Sequence, residues 1–596
     1  MPFTEPTLPP LDPAHFRETP FFERIKIETT FWAENGFGSP KALHVLYVLK
    51  VVVLSIVGGV SLATSTSEGV GAPWEVAQWW DQPIVWQKLV LWVALLEVIG
   101  VGGAWGPLTG HFKPFYGGAR YWLRPGTIRL PAWPDHVPLT KGDTRTVVDA
   151  LLYAAVLVSL AVALALPGVT PDHMDDFPAD VHGGSVNPVL MLMPVAFLVL
   201  VGLRDKVVFL AARGEQYVPV MLSVGLLSFT SFADMIVAAK LIIVVVWVGA
   251  AVSKIGEHFL NVIPPMVSNT PWTPRFLRRA HYRDFPDDLR PSKLAWFMGH
   301  VLGTLAEMAV PLVLLFSANP TITLLGVLSM VAFHAFITST FPLAVPLEWN
   351  ILFGYLAVFL FLGYPNADGY GLGDVSRPWL LPAILAALLF WPVLGNLRPD
   401  LVSFLPSMRQ YAGNWASAVW AMAPGVEERF NELPIPVRTH TEQLAGLGYE
   451  PDAADLTVEL FIAWRSMHSQ GRGLLSVLSR EFGDDMERYV IREGEFGANL
   501  VVGWNFGDGH LHDEQLIEAI QRRLRFAPGE FVVAWVESQP IHKKTQEYKI
   551  IDAAVGVVER GTWKVADCVA EQPWLPDGPV AHEVAWRHPD YHRPEL

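Results

Sequence analysis

The chain is 596 residues long, 51% hydrophobic, 12% aromatic and only 17% charged, with a formal net charge of −15. A soluble protein of this length carries more charge, and the acidic balance argues against a nucleic-acid binder. The one cysteine, Cys568, excludes an intramolecular disulfide framework and a multi-cysteine metal or iron–sulfur site within one chain.

Residues 1–41 begin proline-rich and then mix aromatics with Arg17, Arg24 and Lys26. They read as a cytoplasmic segment, either an interfacial amphipathic helix or a plain lead-in. No basic start leads into an apolar core, so the first spanning helix is expected to act as the insertion signal. Apolar runs near the ~20 residues that cross a bilayer fall at 42–62, 84–103, 147–167, 188–206, 217–232, 234–253, 296–316, 321–341, 348–364 and 378–396. The fifth is short and polar at its end, which also suits a re-entrant segment. The expected fold class is mostly α: a polytopic transmembrane helix bundle of about ten spans over 42–396, with a linker at 397–451 and a C-terminal cytoplasmic α+β domain at 452–596.

Loop charges set the expected orientation. The loop 104–146 carries Lys113, Arg120, Arg124, Arg129, Lys141 and Arg145; Arg204, Lys206 and Arg213 follow the fourth run, and five arginines lie between 275 and 290. The alternate loops, 68–81, 172–180 and 366–374, are acidic or neutral. Ten spans put every basic loop on one side, which predicts an inner-membrane protein with both termini cytoplasmic.

The stretch 234–265 is read as one long apolar helix. Lys240, Trp247 and Lys254 are seven apart, so they share a stripe. Glu257 and His258 follow Lys254 by three and four positions and should share its face. A charge in hydrocarbon costs roughly 3 kcal/mol even on lenient scales, so this face is the first candidate site. Lys254 there is either a base tuned by its neighbours or a snorkelling lysine at a helix end.

Further along, His300, Thr304 and Glu307, then His334 and Thr338, could line one polar cavity with the two lysines, or simply hydrogen-bond between helices. Glu97 and Asp234 are further acids in apolar surroundings. In the loop 105–134, Lys113, Arg120 and Arg124 alternate with aromatics, a pattern that suits lipid headgroups or generic anchoring.

In the C-terminal part, TVELFIAW reads as a strand or short helix; ERYVIREGEF, ANLVVGWNF and EFVVAWVES read as strands, and AAVGVVERGTWKV as a strand pair. DEQLIEAIQRRLRF reads as an amphipathic helix with Leu516, Ile517, Ile520 and Leu524 on one face. In GWNFGDGHLHDEQ, Asp508, His510 and His512 are metal candidates beside the simpler reading of a turn capped by Asp513. IHKKTQEYK reads as a solvated face or one facing anionic lipid.

Three runs, GAAVSKIGEHFLN, MGHVLGTLAEMAVPLVLLF and AFHAFITSTFPLAVPLEWNIL, resemble the HTTM region, the transmembrane domain shared by vitamin K-dependent gamma-carboxylases and many bacterial relatives. The resemblance covers about 188–364. It implies that Lys254 stands where the carboxylases have the lysine proposed to deprotonate the quinol, with Glu307 and His334 at their acidic and histidine positions. Protein carboxylation is not carried over, because the C-terminal domain is unlike the carboxylase substrate-binding domain. The whole chain also resembles large bacterial transmembrane proteins, common in actinobacteria, with no assigned function.

The expectation is thus a protein that binds or modifies a lipid, quinone or isoprenoid in an intramembrane pocket. Lys254, Glu257, His258, Glu307 and His334 would be its reactive groups, with Lys240, Trp247 and His300 around a quinone-like cofactor. Membrane lipids are the expected partners. The alternative is a non-enzymatic lipid transporter, or a scaffold recruiting a protein partner through the C-terminal domain.

Overall fold

The computed structural model describes residues 3–102, 105–106, 108–111, 117–170, 174, 176–340, 347–409, 412–503 and 514–594. A first helix, α1 (Phe21–Asn35), precedes ten apolar helices: α2 (Lys41–Ser65), α3 (Pro83–Ile99), α4 (Val147–Ala165), α5 (Pro188–Arg204), α6 (Gly214–Leu227), α7 (Phe232–Ser253), α8 (Lys293–Phe316), α9 (Pro320–Thr340), α10 (Leu347–Val358) and α11 (Leu380–Leu397). Six of them, α2, α4, α7, α8, α9 and α11, are long and apolar enough to cross a membrane. A seventh qualifies if the bent pair Trp349–Gly363 and Asn366–Asp374 counts as one span. Helices α3, α5 and α6 are shorter. A left-handed Gly100 stops α3, and α5 gives way to Asp205, whose carboxylate caps the next short helix.

Of the six, α7 is the most buried and α11 the least. Local signals start α7 cleanly: the Ser231 hydroxyl accepts the Asp234 N–H, and an acid stands in the first turn. The expected single helix over 234–265 does not form. The helix ends at Ser253, Lys254 caps it, and a 3₁₀ turn (Glu257–Asn261) and a short helix (Ile263–Ser268) follow. Gly256 is extended at the break, so Glu257 and His258 leave the Lys254 face.

The loops gather in two layers. In one, Asp176 accepts the N–H groups of Phe232 and Ala233 (both 3.0 Å), Asp234 accepts the N–H and hydroxyl of Ser376 (2.7 and 2.6 Å), and the Tyr364 hydroxyl donates to Asp81 O (2.8 Å). In the other, Arg145 pairs with Asp205 (2.7 Å), Arg204 with Asp149 (2.6 Å), and Asp143 with Arg522 and Arg523 (2.8 and 2.9 Å). The second layer joins the bundle to the C-terminal unit.

That unit is built on a six-stranded antiparallel sheet in the order β4-β3-β5-β6-β7-β8, where β1 (Tyr282–Asp284) and β2 (Asp288–Pro291) form a separate hairpin. Its strands are β3 (Ser417–Met422), β4 (Val490–Glu493), β5 (Phe531–Val536), β6 (Thr545–Asp552), β7 (Gly556–Lys564) and β8 (His582–Arg587). Strand β3 comes from the stretch read as a linker and pairs with both β4 and β5. TVELFIAW lies in helix α12 (Pro451–Met467), followed by α13 (Ser469–Phe482). Helix α13 packs so close to the sheet that a Cβ on Gly473 would stand 2.4 Å from the Trp563 ring.

Two strand expectations are corrected. ERYVIREGEF keeps only the short β4, and ANLVVGWNF begins in helix α14 (Gly494–Val502). The Glu493 carboxylate accepts the Phe496 N–H (3.2 Å) and starts that helix, and Gly497 lets it approach Trp420. AAVGVVERGTWKV is a turn and one strand, β7, whose partner β6 begins inside IHKKTQEYK. EFVVAWVES supplies β5, and the amphipathic helix α15 (Glu514–Leu524) buries Leu516, Ile517, Ile520 and Leu524 as expected. Helix α1 docks on α12, where Arg24 meets Glu459 (2.5 Å), and Arg17, in the 3₁₀ turn just before α1, meets Asp455 (2.9 Å).

Candidate functional site

The stripe on α7 exists, and each of its three polar members meets a different element. Lys254 pairs with the Glu307 carboxylate of α8. Both are buried, and the Phe259 and Phe333 rings lie 5.8 and 5.6 Å from the ammonium. Two turns back, the Trp247 indole donates to His334 Nε2 of α9 (2.8 Å). His334 Nδ1 stands 2.9 Å from Asn350 Oδ1 on α10. Two turns further, Lys240 donates to Asn366 Oδ1 (2.8 Å) and Tyr370 O (2.7 Å). The partners come from the protein because lipid cannot supply them.

The other expected members disperse. Glu257 takes an ion pair from Lys544 (2.6 Å) in the C-terminal unit. His258 meets the Ser469 hydroxyl (2.7 Å), and burial pushes it down to about 4 against a small opposing pull from Glu257. His300 lies against the rings of Trp296 and Phe259, with centroids 5.5 and 6.1 Å away. Thr304 and Thr338 donate to carbonyls of their own helices. Glu97 is fully buried at the end of α3, beside Gly102. Arg120 and Arg124 are exposed. Lys113 and the metal candidates Asp508, His510 and His512 lie outside the described residues. Among the described residues, no group of three His, Cys, Asp or Glu side chains is placed to hold a metal ion.

A feature that residue-by-residue reading missed is a cavity of about 1650 Å³. Its apolar part is walled by α5, α6, α7, α10 and α11, through residues such as Leu222, Val246, Leu352 and Leu388. Its polar end is formed by β5, β6 and β7, with Trp535, Lys549 and Arg560. Lys240, Lys254, Glu307 and His334 do not line it. Phe353 separates the two regions: it lines the cavity and packs edge-on against both Trp247 and His334. Glu537, at the polar end, is raised by burial, although Arg409 lies 3.8 Å away. The cavity's walls lie far apart in sequence, so no local pattern announces it.

No curated protein and no solved structure matches the chain. A family model described as a transmembrane protein of unknown function (DUF3556) matches residues 1–585. That match runs through both the helical bundle and the sheet unit, and the chain belongs to this family of membrane proteins of unknown function.

Proposed function

We propose that the protein binds a hydrophobic lipid, quinone or isoprenoid in the cavity between the bundle and the sheet. The observation that carries this reading is the cavity's division into an apolar wall of membrane helices and a charged end on the sheet. An amphipathic lipid has the same division. The volume exceeds the roughly 300–1,000 Å³ of ordinary small-molecule sites, which suits a long chain.

The proposed topology is ten crossings of a bacterial inner membrane with both termini in the cytoplasm. The two loop layers support it, since Arg145 and Arg204, from two of the basic loops, share the layer that meets the C-terminal unit, and Arg290, from the third, donates to Ala570 O of that unit. The docking of α1 on α12 also keeps the two ends of the chain on one side. Arg120 and Arg124 are proposed to touch lipid headgroups at that face. Lys254 and Glu307 belong to the proposal as a polar pair that a quinol-modifying enzyme could use, and their contact is what supports the HTTM resemblance.

The test is native mass spectrometry of the protein released from nanodiscs made with total lipid. Wild type should retain lipid, and Leu222→Trp, which fills the apolar wall, should release most of it. Equal retention by both, or none by wild type, removes the proposal. The scaffold reading is favoured by one observation: β8 is the edge of the sheet and leaves Val584 and Trp586 exposed. A Val584→Pro variant that still captures the same partner argues against it.

A further inference from the structure

The polar end of the cavity has a charge pattern that specifies a headgroup. Five carboxylate and five cationic side chains line the cavity. Several neutralise one another: Glu514 accepts from Lys549 (3.1 Å) and Arg560 (3.3 Å), and Lys543 pairs with Glu547 (3.4 Å). A site for an anionic lipid would instead present cations without matching carboxylates.

Three polar groups that line the cavity, from α6, from α10 and from just after β5, have no hydrogen-bond partner among the described residues: both carboxylate oxygens of Glu215, the Trp349 indole N–H and Gln539 Oε1. Trp349 and Gln539 are 5% and 4% exposed. Buried polar groups are costly when unpaired and are normally satisfied, so these groups point to a ligand. Two are acceptors and one is a donor. A phosphate, which only accepts, would satisfy Trp349 but brings no donor to Glu215 or Gln539. An ammonium, which only donates, would leave Trp349 unpaired. Hydroxyl groups both donate and accept, and so suit all three. Trp133 and Trp391 also line the cavity and are about half exposed. Their faces can take the C–H face of a sugar ring.

We propose that the cavity takes a lipid with an uncharged, multi-hydroxyl headgroup, a glycosyl lipid, which hydrogen-bonds Glu215, Trp349 and Gln539. This rests on the reading above that the cavity holds a lipid.

The test uses the full chain in nanodiscs and three probes with identical acyl chains: glucosyl-dioleoylglycerol, dioleoylglycerol and dioleoylphosphatidylglycerol. Retention is read by native mass spectrometry. The glucosyl lipid should be retained at least about tenfold over the other two, equivalent to about 1.4 kcal/mol. Glu215→Gln with Trp349→Phe should erase that preference while leaving the melting temperature close to wild type. The comparison among probes on wild type stands even if the double variant fails to fold. Equal or tighter retention of the phosphatidylglycerol overturns the proposal. Equal retention of all three overturns headgroup recognition but leaves lipid binding in place. Retention of none of them, with Leu222→Trp making no difference, overturns both readings.

Discussion

The Trp247 indole donates to His334 Nε2 across 2.8 Å, and this bond assigns the histidine's proton to Nδ1, which faces Asn350 Oδ1 at 2.9 Å. His334 is therefore a saturated link between α7, α9 and α10. His334→Phe keeps a ring but strands the indole N–H and removes the donor to Asn350 Oδ1. It is expected to cost about 1–3 kcal/mol for the stranded indole. Thermal unfolding of the purified protein, followed by tryptophan fluorescence, measures the loss. The double variant with Trp247→Phe should cost less than the sum of the singles.

Lys254 and Glu307 are both buried, at 7% and 4% exposure. Removing one leaves the other as an unpaired charge, so Lys254→Met is expected to destabilise by about 3–5 kcal/mol. The double variant Lys254→Met with Glu307→Met should recover most of that loss. Melting temperatures of the three proteins decide the matter. A single variant as stable as wild type would show that the pair contributes nothing to the fold.

Three buried histidines next to or within the sheet unit make its stability sensitive to pH. Burial pushes His258 and His440 down to about 4 and His468 to about 3. An unfolded histidine takes its proton near 6.5. Between about 6.5 and 4 the unfolded chain therefore binds more protons than the folded one, so stability rises with pH. The unit should be fully stable above pH ~7 and weaken steadily as pH falls from about 6.5 towards 4. Hydrogen exchange across 451–482 should show falling protection at pH 6 and again at pH 5. Flat protection over that range would contradict the assignment.

Arg492 holds the docking site of the N-terminal helix. Its guanidinium donates to both oxygens of Glu427 (2.9 and 2.8 Å) and to Asp455 (2.9 Å), which in turn receives Arg17. Burial would lift Glu427 and Asp455, yet Arg492 keeps both below the ordinary carboxylate range. Arg492→Met should cost about 3–5 kcal/mol by leaving Glu427 buried and unpaired. Trypsin should then cut at Arg17 and Arg24 faster than in wild type. An unchanged cleavage rate would mean that α1 is held by other contacts.

Composition and local periodicity determined much of this protein. Apolar runs marked the six helices that are long and apolar enough to cross a membrane, because hydrocarbon admits few charges. The seven-residue spacing of Lys240, Trp247 and Lys254 put them on one stripe of α7, because a helix repeats within a few residues. Sequence reading placed Glu307 only in a shared polar cavity with the lysines, and packing made it the partner of Lys254. Tertiary structure decided the rest. The break at Gly256 sends Glu257 to Lys544 and His258 to Ser469. Asn350, Asn366 and Tyr370 became partners only through helix packing. ANLVV became helical because Glu493 caps it and Trp420 receives it. The cavity is the clearest case. It is a gap between segments far apart in the chain, and a gap has no residues of its own for a sequence to encode.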